Sequence, residues 1–329
     1  MIAVDAMGGD RAPIEIVAGA LLAAARSDLG VLLVGRASEI EPLLPGGSCP
    51  DGVEVLHAAD VIGMDDEPLA SVRKHKDASI TRAIGAVKDG RAAGMVSAGN
   101  TGAVTAAAAL GFGRFKGVPS PAIAVPIPVP GSHPQVLIDS GAVVDPAPER
   151  LAQYARMGCE YARARFQISE PRVGLLSNGE EPGKGDALRK AAYPLLEAVP
   201  GFIGNVEGRD LMHAGHVDVI VTDGFTGNVA LKSLEGALRA MAAMVFEVLD
   251  SSPEVREAAQ SIMPGLLEAA MVFDPDEVGG AVLAGVNGVA VISHGSSSAR
   301  AIVRAVEVAA ECSVGDVVGR MRTAVTHAG

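Results

Sequence analysis

Residues 94–111 read GMVSAGNTGAVTAAAALG, and this stretch decides the fold class. A short apolar run, a turn built from Gly99, Asn100, Thr101 and Gly102, and an Ala-rich run of about three helical turns follow one another directly. Strand, glycine turn and helix in that order form the repeating unit of a parallel α/β sheet. The surrounding segment 92–113 holds no charged residue for 22 positions, long enough for a bilayer helix. The polar turn in its middle argues against a span. A second uncharged stretch, 117–138, carries six prolines and cannot be one helix.

The same alternation recurs along the chain on both sides of this stretch. Strands are expected at 2–6, 31–35, 53–57, 94–98, 122–127, 136–139, 173–177, 217–222 and 289–293. Most are continuous Val/Ile runs rather than alternating ones, as in strands buried on both faces. Helices are expected at about 13–27, 79–89, 101–111, 147–166, 186–198, 227–250 and 297–311. The predicted fold is a three-layer α/β/α unit with a mostly parallel sheet, covering 1–329 as a single catalytic unit. The proline-rich section 118–134 is a candidate crossover between lobes, or equally an edge strand with irregular connections. The segment 251–280 breaks the alternation and reads as a projecting helical insertion.

Composition narrows the function. With 27 Lys and Arg against 39 Asp and Glu, the net charge is −12, and no dense basic run appears. Nucleic acid is therefore not an expected partner, since phosphate contacts demand a basic face. Cys49, Cys159 and Cys312 are far apart, without disulfide or zinc spacing, which fits a reducing cytoplasm. The first residues have no charged region followed by an apolar run, so no secretory signal is expected.

Five strand-to-helix junctions are rich in Gly and small polar residues: DAMGGD (5–10), SAGNTG (97–102), SNGEEPGKGD (177–186), TDGFTGN (222–228) and SHGSSS (293–298). Open α/β sheets gather ligand-binding groups at such places. Helix N-termini there present unpaired N–H groups and a partial positive charge, so several together favour a phosphate-type ligand. Familiar alternatives are absent. GEEPGKGD lacks Walker spacing, the first turn is Met7-Gly8-Gly9-Asp10 rather than GxGxxG, and neither HExxH nor GxSxG occurs.

Seven ordered motifs then become specific. DAMGGD (5–10), SVRKHKDASI (71–80), SAGNTGA (97–103), GEEPGKG (179–185), FIGNVEGRD (202–210), DGFTGNV (223–229) and GVNGVAVISHGSS (285–297) resemble those of the bacterial phosphate:acyl-ACP acyltransferases, the PlsX family. The resemblance covers residues 2 to about 310. It implies a fold shared with phosphate acetyltransferases and isocitrate-type dehydrogenases. It also implies transfer of a fatty acyl group from acyl carrier protein to inorganic phosphate, with no cofactor. The acyl phosphate would feed glycerol-3-phosphate acylation in phospholipid synthesis. A homodimer, peripheral contact with the inner face of the membrane, and contact with the downstream glycerol-3-phosphate acyltransferase are further implications. Rival readings are a short-chain enzyme using acyl-CoA and a non-catalytic scaffold.

The reaction must hold two oxyanions close together, and preorganised donors can do this without a metal. Lys184, flanked by Gly183 and Gly185, is the first candidate: a mobile cation for phosphate or the tetrahedral intermediate. Asn228 is the second, as an amide donor to the oxyanion, with a plain helix cap as its alternative. Ser97, Asn100, Thr101 and Gly102 are candidates for the ligand surface, although an ordinary capped turn explains them equally. Asn178 and Glu181 stand beside Lys184 and are expected to position it. Asn205, Glu207 and Asp223 are candidate supports of the same cleft, and His294 is a candidate phosphate ligand or proton donor, with a packed turn histidine as its alternative. Arg73, Lys74 and Lys76 form a compact basic cluster, read as a solvated face or, since the implied carrier protein is acidic, as its docking site. The stripe Leu231, Leu234, Leu238, Met241, Val245 and Val248 is read as core or subunit interface in preference to acyl contact. Residues 251–273 carry one Arg and three Glu, which weakens any attraction to anionic lipid.

Overall fold

A computed structural model of the chain describes residues 1–26 and 29–326. The first half contains β1 (Ile2–Asp5), α1 (Ile14–Arg26), β2 (Val31–Gly35), α2 (Ala37–Ile40), β3 (Val53–His57), α3 (Pro68–Lys74) and α4 (Ser79–Lys88). It continues with β4 (Gly94–Ser97), α5 (Thr101–Gly111), β5 (Ala122–Ile127), β6 (Gln135–Ile138) and α6 (Pro148–Phe166). Next come β7 (Val173–Leu176), α7 (Ala187–Leu196), β8 (Phe202–Val206), β9 (Val219–Val221) and α8 (Gly224–Leu249). The chain then forms α9 (Pro253–Ala259), α10 (Met263–Met271), α11 (Pro275–Val278), β10 (Ala281–Ala284), β11 (Val289–Ile292), α12 (Ala299–Val314) and α13 (Val317–Thr326).

All eleven described strands join one sheet in the order β3-β2-β1-β4-β11-β10-β5-β6-β9-β7-β8. Helices cover both faces, as expected for the three-layer class. Ile2 and Val4 of β1 point into one core with Ile16 and Val17 of α1, while Ala3 between them packs on the other side with Ile80 and Ala83 of α4. This is the two-residue period of a strand buried twice. Each fully buried Val or Ile contributes about 1.5–3 kcal/mol relative to exposure.

The nine expected strands all form, with ends shifted by up to two residues. Two more were not legible. Strand β8 lies at the sheet edge and contains Gly204 and Asn205, residue types that strands disfavour. Strand β10 is four residues long with two alanines, too short and too plain to signal itself. The helix expected at 13–27 is α1; its residue 27, like 327–329 of the expected single unit, lies outside the described residues.

The sheet is not uniformly parallel. Strand β10 is antiparallel to β11 and β5, and β5 is antiparallel to β6. Strands β1, β2, β3, β4 and β11 therefore run one way, and β6, β7, β8 and β9 the other. The glycine turns therefore stand on two rows of strand ends. Turns after β1, β4 and β11 end one block; turns after β6, β7 and β9 end the other. The proline-rich section supplies β5 and the return to β6, where the two blocks meet.

Helix α8 has 26 residues, about 39 Å, and within it only Gly224 and Gly227 are buried. Its first half crosses the sheet near β5 and β6. Its second half leaves the body, followed by α9 and α10, where Ala259 is the one buried helical residue. The chain rejoins the body when α11 packs on α12. No described helix is long and apolar enough to cross a membrane.

Candidate active site

The three turns of the first block interlock. Asp10 donates its backbone N–H to the Gly295 carbonyl at 2.8 Å, and a side chain on Gly8 would meet the Gly99 nitrogen at 2.8 Å. Glycine is needed there for that approach. Beneath the turns, the fully buried Asp5 carboxylate accepts from the Ser97 hydroxyl at 2.6 Å and from the Met7 N–H at 3.2 Å. Burial pushes the Asp5 carboxyl above its ordinary pKa, against the hydrogen bonds from Ser97 and Met7. Ser97 therefore braces the turn from below. Asn100 caps α5 by accepting from the Ala103 N–H, and its amide donates to the carbonyls of Met64 and Asp66 at 2.8 and 3.1 Å. Both Ser97 and Asn100 act as scaffolding, while Thr101 and Gly102 reach the ligand space.

That space is a cavity of about 580 Å³ where the two blocks meet. Alternate residues of β5, namely Ile123, Val125 and Ile127, form its floor, and Leu231, Leu234 and Leu238 of α8 form its roof. Thr101, Gly102, His294, Gly295 and Ser296 close one end; Ser140, Gly141 and Asn228 belong to the end formed after β6 and β9. The floor of β5 and the leucines of α8 give the cavity an apolar wall, while Lys232, Glu235 and Arg239 of α8 and the turns at both ends are polar. From Asn228 to Arg239, also in the lining, α8 advances about 16 Å. Of the apolar stripe, three leucines line the cavity, whereas Met241 and Val248 are exposed farther along the helix.

Asn228 is placed by a second buried carboxylate. Asp139 accepts from the N–H groups of Ile123, Gly141, Ala142 and Val143 at 2.8–3.2 Å, which fixes the turn after β6. Burial raises its pKa, opposed by those same N–H groups. An added Cβ on Gly141 would lie 3.0 Å from the Asn228 amide nitrogen, so the missing side chain leaves Asn228 its room.

Lys184 follows β7, and β6, β9 and β7 are adjacent and parallel, so its loop stands on the same row of strand ends as Asn228. Its side chain is half exposed, 4.0 Å from Glu181, and is not part of the cavity lining. The other expected supports build that loop. Asn178 accepts from the Gly185 N–H at 2.8 Å, and Asn205 donates to the Glu181 carbonyl at 2.8 Å. Glu207 and Glu180 both bind Arg209. Asp223 caps α8 through the Thr226 N–H at 2.8 Å and also pairs with the buried Arg189. Two polar atoms near the loop, Ser177 Oγ and Asn205 Oδ1, are buried with no partner among the described residues.

Sequence reasoning missed Arg189, Ser140, Gly141 and Lys232. Arg189 looks like an ordinary helical arginine. Lys232 stands one helical turn beyond Asn228, and that spacing is the signal that could have found it. The cluster of Arg73, Lys74 and Lys76 is exposed at the end of α3. That helix begins at Pro68, packed on cavity-lining Gly102, so the charges sit about 10 Å along the helix from the cavity edge. Cys159 is buried on α6, and burial pushes its thiol up to about 11, unsuited to a nucleophile. Among the described residues no group of three or more His, Cys, Asp or Glu could hold a metal ion.

Residues 1–320 match the family described as fatty acid synthesis protein. A phosphate acyltransferase of Desulfitobacterium hafniense is 47% identical over 312 residues, covering 94% of this chain and 93% of its own. One from Geobacillus thermodenitrificans is 44% identical over 323 residues, with 98% and 97% covered. The chain belongs to the phosphate acyltransferase family. Phosphate acyltransferases are thus its relatives along almost the whole length. Among solved structures, a phosphotransacetylase from Streptococcus pyogenes superposes with a TM-score of 0.63 at 18% identity, covering 95% of this chain and 93% of that one. A branched-chain phosphotransacylase from Enterococcus faecalis gives 0.59 at 15% identity, with 95% and 99% covered. Those two likenesses establish the shared α/β fold of this phosphate acyltransferase.

Proposed function

We propose that the protein transfers a fatty acyl group from acyl carrier protein to inorganic phosphate. The observation that carries this reading is a single cavity with an apolar wall of β5 and α8 residues and polar groups at both ends, Thr101 and His294 at one and Ser140 and Asn228 at the other. Such a space suits an aliphatic chain whose reacting carbonyl meets hydrogen-bond donors. A phosphate oxygen attacks the thioester carbonyl carbon, the C–O bond forms, and the C–S bond breaks. The phosphate proton ends on the departing thiolate, giving acyl phosphate and free carrier protein. The Asn228 amide supplies an N–H to the tetrahedral oxyanion, and Lys184, half exposed on a loop outside the cavity lining but on the same row of strand ends, is the proposed source of positive charge.

The basic cluster at the end of α3 supports carrier-protein docking, because an acidic partner held there keeps its prosthetic arm near the cavity edge. Exposed Met241, Met244 and Val248 on the outer half of α8 support a subunit or membrane contact. Use of the acyl phosphate for glycerol-3-phosphate acylation follows from the same reading.

The test combines purified protein, phosphate and an acyl donor, and traps acyl phosphate with hydroxylamine. Long-chain acyl carrier protein is expected to give product and acetyl-CoA very little. Preference for acetyl-CoA would transfer the protein to short-chain chemistry, and no product from either donor would refute the reading. Lys184→Ala should lose product while keeping its circular dichroism spectrum.

A further inference from the structure

The Ser296 N–H donates to His294 Nδ1 at 3.3 Å, and the Ser296 hydroxyl lies 2.9 Å from the same atom. With Nδ1 accepting, Nε2 carries the N–H that the ring can donate. His294 Nε2 in turn faces Lys232 Nζ at 3.5 Å. In this tautomer two N–H donors stand side by side on the cavity wall, 3.5 Å apart. A donor pair of this kind is completed by an acceptor oxygen to one side, within hydrogen-bond reach of both nitrogens.

We propose that Lys232 and His294 together hold the phosphate, with one phosphate oxygen bridging Lys232 Nζ and His294 Nε2. This rests on the phosphate-transfer reading above and adds a residue to it. Lys232 follows Asn228 by one helical turn, so a phosphate bound there sits about 6 Å along α8 from the proposed oxyanion donor. Thr101 and Gly102, at the N-terminus of α5, line the same cavity. Carboxylates also face it. Glu235 lies 3.0 Å from Lys232 and 3.9 Å from Arg239, and so is shared by two cations. Asp276 accepts from the Ser298 hydroxyl, and Asp10 lies beside Gly295. The anion site is thus local, set by Lys232 and His294 within an acidic protein.

The test measures initial rates of acyl phosphate formation with phosphate and long-chain acyl carrier protein varied separately. Line broadening of the ³¹P signal of inorganic phosphate is measured beside it, with no acyl donor present. The Lys232 side chain is about half exposed (49%), so Lys232→Gln should keep the wild-type melting curve. Loss of one charge-assisted contact predicts a KM for phosphate roughly 10- to 100-fold higher, with the KM for acyl carrier protein within about twofold. Lys232→Arg should restore most of the loss. His294→Gln should raise the same constant and weaken the ³¹P broadening. An unchanged phosphate KM, or an equal rise in both constants, overturns the proposal. A wild-type protein that broadens the phosphate signal through Lys232 but forms no acyl phosphate refutes the transfer reading and leaves the anion site standing.

Discussion

Arg189 Nη2 donates to Asp223 Oδ2 at 2.7 Å, and both side chains are almost fully buried, at 7% and 6% exposure. The same guanidinium reaches the Thr222 hydroxyl at 3.1 Å, the Leu176 carbonyl at 2.7 Å and Asp186 at 2.9 Å. Asp186 caps α7 after the Lys184 loop, and Asp223 caps α8 before Asn228. One buried cation therefore ties together the two segments that carry the proposed catalytic residues.

Removing that cation strands a buried carboxylate. Arg189→Met should cost about 3–5 kcal/mol, because the charge left behind has lost its partner. Arg189→Lys should recover a part, since an ammonium cannot reproduce the fork of bonds. Urea unfolding midpoints measure both; a midpoint for Arg189→Met equal to wild type contradicts the account.

Asp223 also sets an acid dependence. Burial opposes its ionisation, but the Thr226 N–H and Arg189 outweigh it and hold its pKa below the ordinary 3.8. A carboxylate with a lowered folded-state pKa stabilises fully above its unfolded value and loses that contribution as pH falls through the folded one. Stability from this pair should therefore fade below about pH 4. Asp223→Asn should be less stable at neutral pH and show a shallower decline in acid; an identical acid slope would exclude the pair as a source.

Two glycines on α8 should respond in opposite directions. A Cβ on Gly227 would lie 2.0 Å from the Asp139 carbonyl oxygen, so Gly227→Ala must push α8 away from the turn after β6. Overpacking of this kind costs about 1–3 kcal/mol and should also displace Asn228 and lower turnover. Gly236 has nothing within 4 Å of its added Cβ, so Gly236→Ala should stabilise by about 0.5–1 kcal/mol through helix propensity. Thermal melting of the two variants checks the contrast, and matching shifts would contradict the packing described here.

The three-layer class and nine strands were legible because Val/Ile runs buried on both faces have a strong local signature. Strand direction was not. Nothing in AVLA at 281–284 or in the proline-rich approach to β5 announces that these strands reverse the sheet, since direction is set by pairing between distant segments. The same limit applies at the site. Glycine turns could be read at 97–102 and 293–298, but not that α8 would lay Leu231, Lys232 and Leu234 over β5. Ser97 and Asn100 were legible as site residues only by position; their hydrogen bonds turn them inward to Asp5 and to the 63–66 loop.

Carrier-protein docking at α3 predicts a charge effect separable from chemistry. Reversing Arg73, Lys74 and Lys76 to Glu should raise the KM for acyl carrier protein by about tenfold or more at low salt and leave kcat nearly unchanged. The difference from wild type should shrink as ionic strength rises and screening shortens the interaction. Steady-state kinetics at two salt concentrations are sufficient; equal KM values at low salt rule out docking there.

The most direct test of the central claim, that acyl phosphate forms in the cavity beside Asn228, is single-turnover acyl phosphate formation by Asn228→Ala. The cavity account predicts a rate lower by about 10²–10³, as for loss of one oxyanion donor, with the melting temperature preserved. A rate within about threefold of wild type from a folded Asn228→Ala protein would place the chemistry elsewhere.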